Sequence, residues 1–339
     1  MDERYSRQII FKPIGVSGQA MLHKAHVVII GCGALGSAVS ESLVRAGVGK
    51  LTIADRDYVE ASNLQRQQLF TEQDAREKIP KVIAAKRRLQ EIRTDVEIDT
   101  ILDHVDGLLL EQLVAHAQII IDATDNFETR LLINDVAWKY QIPWIYGACV
   151  SSTSVVFPFI PGETPCFRCL LPVLPAVNQT CDTVGIIAPA VQMTAANQTA
   201  EALKWLTGNK KAMRKKLLHM DVWHNSQVEI GLSRVKKEYC ETCSEQATYP
   251  ALQINEGTHY AVLCGRDTVQ IIPDKNRPIS ITDGERVAKQ LGTHYRVTPF
   301  FVEFYIEDYR CILFKNGRML IHGLKDMATG RKLYHQLFG

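Results

Sequence analysis

The feature that most constrains this chain is a glycine-rich turn between a short apolar run and a helix-patterned segment. His26-Val27-Val28-Ile29-Ile30 leads into Gly31-Cys32-Gly33-Ala34-Leu35-Gly36, and residues 34–46 follow as a helix with small residues on one face. An apolar run without alternation reads as a strand buried on both faces, as in a parallel sheet. Glycines at such a turn let the backbone approach a phosphate, and the helix N-terminus offers free N–H groups and partial positive charge. LTIAD, residues 51–55, reads as a second strand ending on Asp55, where an acid can bind ribose hydroxyls. That much fits NAD, FAD, S-adenosylmethionine and ATP alike.

The same alternation continues. A helix is expected over 81–92, strands over 96–101 and 118–124, a helix over 127–140 and a strand over 143–148. The fold class is therefore α/β, a Rossmann-like, mainly parallel sheet with helices on both faces. After residue 150 the pattern changes. SVVFPFI reads as an antiparallel strand, residues 188–206 as a long helix, and LLHMDVW and QVEIGLSRV as closing strands of a mixed sheet. A first domain is expected over 1–245. Residues 246–339 read as a small α+β module: TVQII, FFVEFYI, RCILFK and RMLIHGL are strands, with helices near 284–291 and 325–336. Asn316-Gly317 between two apolar runs signals a hairpin.

Composition narrows the class of partner. Lys plus Arg number 39 against 37 Asp plus Glu, so no global basic field points to nucleic acid. No apolar run reaches the ~18 residues of a membrane span. The start, MDERYSRQII, lacks the pattern of a signal peptide, and a cytoplasmic location is expected. Nine cysteines then need a use other than disulfides.

Two features beyond Asp55 separate the nucleotide chemistries. Ser62-Asn63-Leu64-Gln65-Arg66 and Pro80-Lys81 place two cations near the carboxyl edge of the sheet, suited to a triphosphate whose α-phosphorus gains charge under attack. Alone, either cation reads as solvated surface charge. Asp122-Ala123-Thr124-Asp125-Asn126 ends the fourth strand, and two carboxylates there can hold Mg²⁺ between phosphate oxygens. A nicotinamide enzyme needs neither.

Cys166-Phe167-Arg168-Cys169 and Cys240-Glu241-Thr242-Cys243 are two CxxC knuckles in turn-rich loops. Four thiolates make a closed tetrahedral structural zinc site. Two disulfides or an iron–sulfur cluster are the alternatives. Cys32 reads as a packing residue, and Cys149, Cys264 and Cys311 as buried thiols.

Together, RYSRQ, GCGALG, the Asp55 strand end, SNLQRQ, Pro80-Lys81, DATDN, PGETPCFRC, Cys181-Asp182-Thr183 and the second CxxC resemble the ubiquitin-activating superfamily, specifically its bacterial MoeB/ThiF branch, over residues 1 to about 245. Those enzymes adenylate ubiquitin-like sulfur carriers. The resemblance implies that Gly31, Gly33, Ala34 and Gly36 lie against ATP and that Asp55 holds its ribose. Ser62, Asn63 and Arg66 would surround the phosphates with Lys81, and Asp125 would hold Mg²⁺ beside Asn126. Arg7 would reach the neighbouring subunit's site, making the enzyme a homodimer. Cys181 is where ThiF-like members carry a cysteine that can bond covalently with the carrier; a cysteine not needed for turnover is the other reading.

The carrier's Gly-Gly carboxylate is already ionised at neutral pH, so no general base is required. A cysteine desulfurase or sulfurtransferase is the implied partner for the sulfur step. Two departures stand out. Ser151-Ser152-Thr153-Ser154 occupies a place where relatives carry glycine, and residues 246–339 lack a sulfurtransferase active-site loop; a carrier-docking or dimer-supporting role is expected there. Competing readings are a Rossmann oxidoreductase or methyltransferase, a non-catalytic partner subunit, and an adenylyltransferase for another peptide or tRNA carboxylate. The carrier could serve molybdopterin synthesis, thiamine synthesis or both.

Overall fold

The computed structural model describes residues 3–173, 184–253, 259–262, 267–273 and 279–338. The chain divides into two compact units, Met1–Gln253 and Ile254–Gly339.

The first unit opens with helices α1 (Ser6–Ile10) and α2 (Gly15–Lys24). Then come β1 (His26–Ile30), α3 (Ala34–Ala46), β2 (Lys50–Ala54), α4 (Glu72–Glu77), α5 (Lys81–Ile92), β3 (Glu97–Ile101), α6 (Gly107–Val114), β4 (Ile119–Asp122) and α7 (Phe127–Lys139). The unit closes with β5 (Trp144–Val150), β6 (Thr153–Phe159), α8 (Phe167–Leu170), α9 (Ala188–Leu206), β7 (Lys216–Asp221) and β8 (Ser226–Gly231). The sheet order is β3-β2-β1-β4-β5-β6-β7-β8. β3 through β5 are mutually parallel, and β6, β7 and β8 join antiparallel.

Residues of β1 point alternately into two cores. Val27 and Ile29 pack with α3, α5 and α9, whereas Val28 and Ile30 pack with α6, α7 and α8. Burial on both faces explains why the strand carries no polar alternation. Because β2 and β4 flank β1 on opposite sides, the chain reverses direction beside β1. The carboxyl ends of β1 and β4 therefore frame the crevice where such sheets bind ligands. Two short helices, α4 and α6, are not legible in the periodicity; each is defined by its N-cap, Thr71 with Asp74 in a capping box and Asp106 accepting from Leu109 N–H.

The second unit is an antiparallel sheet of order β11-β12-β13-β14-β10-β9. Its elements are β9 (His259–Val262), β10 (Thr268–Ile272), α10 (Ile281–Leu291), β11 (Tyr295–Val297), β12 (Phe301–Ile306), β13 (Tyr309–Phe314), β14 (Met319–His322) and α11 (Met327–Phe338). Both helices contribute to its core, through Val287 and Ala288 and through Leu333 and Tyr334. β9 and β11 are too short to be read from sequence. The Asn316-Gly317 signal closes the β13–β14 hairpin: Phe314 N donates to Arg318 O at 2.8 Å and Gly317 takes φ +84°. Among the described residues no helix is long and apolar enough to cross a membrane.

Candidate functional site

The crevice is built by close backbone contact. Gly31 has φ +97°, and a Cβ there would lie 2.4 Å from the Ala123 carbonyl oxygen. A Cβ on Gly36 would lie 2.0 Å from the Gly31 carbonyl oxygen. These two glycines let the β1 turn nest against the β4 turn and let α3 press onto it. Gly33 differs. The nearest described atom to its missing Cβ is Gln67 Nε2 at 3.8 Å, so the space over the middle glycine is open. Room at that position, just where α3 begins, is what a phosphate requires.

Asp55 sits immediately after β2 beneath this turn. Its carboxylate accepts from Cys32 N–H at 2.6 Å and from Asp57 N–H at 2.7 Å. Burial raises its carboxyl above the usual range; Lys81 opposes that rise, Asp57 adds to it, and the two N–H bonds oppose it. Lys81, at the first position of α5, is only 5% exposed. Its amine lies 3.4 Å from Asp57 Oδ2, and its backbone N–H donates to Asp57 O at 2.9 Å. Asp57 therefore links the acid under the glycine turn to the buried cation.

The 61–67 segment forms the near wall. Arg66 N–H and Gln67 N–H both donate to Asn63 O, at 3.1 and 3.0 Å, which sets Asn63 and Gln67 one turn apart. Arg66 is half-buried and its Nη1 donates to Ser62 O at 3.0 Å. Asn63 Oδ1 and Gln67 Oε1 are enclosed and have no hydrogen-bond partner. Leaving a buried carboxamide oxygen unpaired costs about 1–3 kcal/mol each. Two such atoms one turn apart beside the open glycine mark this wall as one that the fold does not satisfy by itself.

The β4 turn departs from expectation. Asp122 is fully buried and committed within the protein: Arg130 Nε lies 3.0 Å from Oδ2, and Thr124 donates to Oδ1 through N–H at 2.9 Å and Oγ1 at 2.6 Å. Asp122 is therefore a turn-building carboxylate rather than one of two Mg²⁺ ligands. Asp125 is the exposed carboxylate of the turn. Asn126 caps α7, its Oδ1 accepting from Thr129 N–H at 2.9 Å, and its Nδ2 reaches Asp125 Oδ1 at 3.4 Å.

Arg7 stands exposed on α1, away from this chain's own crevice. Its neighbour Gln8 donates to Ala46 O at 2.8 Å, at the C-terminal end of α3. The glycine turn is at the other end of that 13-residue helix, about 20 Å away at ~1.5 Å rise per residue. Cys181 and Cys264 lie outside the described residues. Cys32 is fully buried and its thiol pushed far above the ordinary range, first by burial, as a packing residue should be. Cys311 is likewise buried, its thiol raised by burial to about 12, whereas Cys149 is only half-buried. Ser151 takes φ +55°, in the left-handed region that favours glycine, at the β5–β6 turn.

The four knuckle cysteines converge. Their Sγ atoms all lie within 4.8 Å of one another. Cys166 and Cys240 are 3.4 Å apart and Cys169 and Cys243 3.6 Å. Those distances are too long for a disulfide, at about 2.05 Å, and close to the ~3.8 Å edge of a ZnS₄ tetrahedron with ~2.3 Å bonds. Lys237 N–H points at Cys169 Sγ and Thr242 N–H at Cys240 Sγ, at 3.4 and 3.5 Å. Behind the cluster, buried Asn134 and Asp135 of α7 tie both knuckles together. Asn134 Oδ1 accepts from Phe167 N–H at 2.8 Å. Asp135 accepts from Thr242 Oγ1, from Arg168 Nη2 at 3.2 Å and from Ala251 N–H at 2.9 Å.

A family model described as the ThiF family matches residues 5–242. This chain belongs to the ThiF family. It is 45% identical to a sulfur carrier protein ThiS adenylyltransferase of Bacillus subtilis over 339 residues, 100% of both chains. To a molybdopterin-synthase adenylyltransferase of Escherichia coli it is 35% identical over 244 residues, 71% of this chain and 96% of the relative. A crystal structure of E. coli MccB with ATP shares the fold, with TM-score 0.62 at 24% identity, covering 72% of this chain and 75% of that one.

Within this ThiF-family unit, Gly31, Gly33, Gly36, Asp55, Ser62, Asn63, Arg66, Lys81, Asp125 and Asn126 all fall on the turns after β1, β2 and β4 or on the first turns of α3 and α5. Asp57, Gln67, Arg130, Asn134 and Asp135 are the residues that sequence inspection passed over. Two had a signal: Asp55-Arg56-Asp57 is a paired acid at a strand end, and Asn134-Asp135 interrupts the apolar run Leu131 to Trp138.

Proposed function

We propose that this chain adenylates the C-terminal Gly-Gly carboxylate of a ubiquitin-like sulfur carrier. The observation that carries the reading is the open space over Gly33 beside a buried, acid-anchored Lys81. That is a phosphate position with a cation held ready. Asp55 would take the ribose hydroxyls, and Arg66 with Ser62 and Asn63 the phosphates.

A carrier carboxylate oxygen attacks the α-phosphorus, the bond from that phosphorus to the α–β bridging oxygen breaks, and pyrophosphate leaves with the electron pair. The product is a carrier acyl-adenylate, ready for thiocarboxylate formation by a sulfur donor such as a cysteine desulfurase or sulfurtransferase. No proton has to be removed from the nucleophile. The protein's task is placement and neutralisation of developing charge. Mg²⁺, bound by Asp125 and phosphate oxygens, would supply further charge neutralisation.

Several finer assignments belong to this reading. The knuckle cysteines hold structural Zn²⁺; their spacing and closed geometry leave no open coordination position. Arg7 serves the site of a second copy, since it stands at the far end of α3 from its own. Cys181 is a candidate for covalent bonding to the carrier. The full-length match to the Bacillus ThiS adenylyltransferase includes the second unit, 254–339, which favours a ThiS-type carrier, with that unit supporting carrier docking or the dimer.

The test is Mg²⁺-dependent ATP–pyrophosphate exchange with each purified carrier. Exchange stimulated by a ThiS-type carrier is expected. Exchange stimulated only by a MoaD-type carrier would move the enzyme to the molybdopterin branch, and none with either carrier would sink the reading.

A further inference from the structure

Gln67 is the least explained side chain of the crevice. It is 4% exposed. Its backbone is fully used, with N–H donating to Asn63 O at 3.0 Å and O accepting from Phe70 N–H at 3.2 Å. Its carboxamide is not used. Oε1 is enclosed without a donor, and Nε2 makes no hydrogen bond among the described residues. Packing alone would be served better by a leucine or methionine of the same size, which leaves no polar atom stranded.

The direction of the carboxamide supplies the reason. Apart from the glycine's own chain neighbours, Nε2 is the one described atom within 4 Å of the position a Gly33 Cβ would take. A group lying over Gly33 is therefore bounded on its other side by an N–H₂ donor. An oxygen entering that gap gains a hydrogen bond from Gln67 as well as the N–H groups at the start of α3. An apolar group would gain neither. We infer that Gln67 is a further nucleotide-binding residue, its Nε2 donating to a phosphate oxygen seated over Gly33, opposite the free N-terminus of α3. The inference rests on the proposed use of ATP and adds a contact that no charge in the sequence announces. It gives Gln67 a role distinct from that of Arg66, which projects from the same turn but bonds to Ser62 O.

Binding of ATP and of adenosine to the full-length chain, measured by calorimetry, separates this from a packing role. Gln67→Met keeps the volume and removes the donor. Its affinity for ATP should fall about 10-fold, the scale of one hydrogen bond to a charged acceptor, while its affinity for adenosine stays at the wild-type value. Its melting temperature should hold or rise. Equal weakening of ATP and adenosine, or no change in either, overturns the inference. Gln67→Glu, with the same shape but a negative charge toward the phosphate, is the second variant; it should weaken ATP more than adenosine, and equal effects on the two again overturn it. A wild-type chain that binds adenosine but not ATP would instead overturn the underlying reading of the site, and this contact with it.

Discussion

α7 reaches the crevice through Arg130 and the cysteine cluster through Asn134 and Asp135, and the two regions treat their polar atoms differently. At the cluster the polar side chains that tie the knuckles together are answered. Asn134 and Asp135 take donors from Phe167, Thr242, Arg168 and Ala251, and the thiols approach one another at near-tetrahedral spacing. At the crevice, carboxamide oxygens of Asn63 and Gln67 go unanswered and a glycine faces open space. A scaffold site completes its own hydrogen bonds; a binding site keeps a donor such as Gln67 Nε2 for its ligand and tolerates the unmet oxygen beside it, at a cost in stability. Substitutions in the two regions should therefore separate stability from activity.

The largest expected effect is at the crevice. Arg66→Ala should abolish acyl-adenylate formation, lowering exchange by about 1,000-fold or more, as loss of a charge-stabilising group does. Its melting temperature should match wild type. Normal pyrophosphate exchange by this variant would break the contrast at once.

Asp135→Ala should do the reverse. Removing one partner of a buried pair costs about 3–5 kcal/mol, so the first unit should melt several degrees lower and lose bound metal. Metal content and unfolding temperature decide it; retention of both would show that the knuckles hold themselves together.

Asp57→Asn lies between the two regimes, because Asp57 is polar, paired and inside the crevice. Removing its charge from Lys81 should lower exchange by about 10-fold, the scale of one charged hydrogen bond. Unchanged exchange would make the pair merely structural.

The smallest effect is in the second unit. Ser280 and Asp283 form a capping box at α10, and the Ser280 side chain foremost holds the Asp283 carboxyl below its usual range. A depressed carboxyl stabilises above its unfolded pKa, about 3.9, and loses that contribution as pH falls through the folded value. Asp283→Ala should cost about 1 kcal/mol at pH 7. The deficit should shrink below pH 4, as read by thermal unfolding. A deficit constant with pH would mean that the charge does not matter.

Much of this was legible in the residues because it is local. β1, α3, α5 and α9 follow from hydrophobic period, the β13–β14 hairpin from Asn316-Gly317, and the cysteine cluster from two CxxC spacings. Asp122 shows where local reading stops. A carboxylate at a strand end looks like a metal ligand until Arg130, a turn along α7, folds back onto it. Gln67 shows the same limit from the other side, because a glutamine in a polar stretch gives no sign that it will be buried and left unpaired.

The sequence by itself determined the alternation of strands and helices, the phosphate-type turn and the metal-type knuckles, since each depends on residues within a few positions of one another. The tertiary structure decided which charges are spent inside the protein and which are kept for a ligand. That choice depends on distances between segments far apart in the chain: Asp57 with Lys81, Asn134 and Asp135 with both knuckles, and Gln67 with Gly33. Only packing brings such pairs within hydrogen-bond or van der Waals range, and only there does burial give an unmet polar atom its cost.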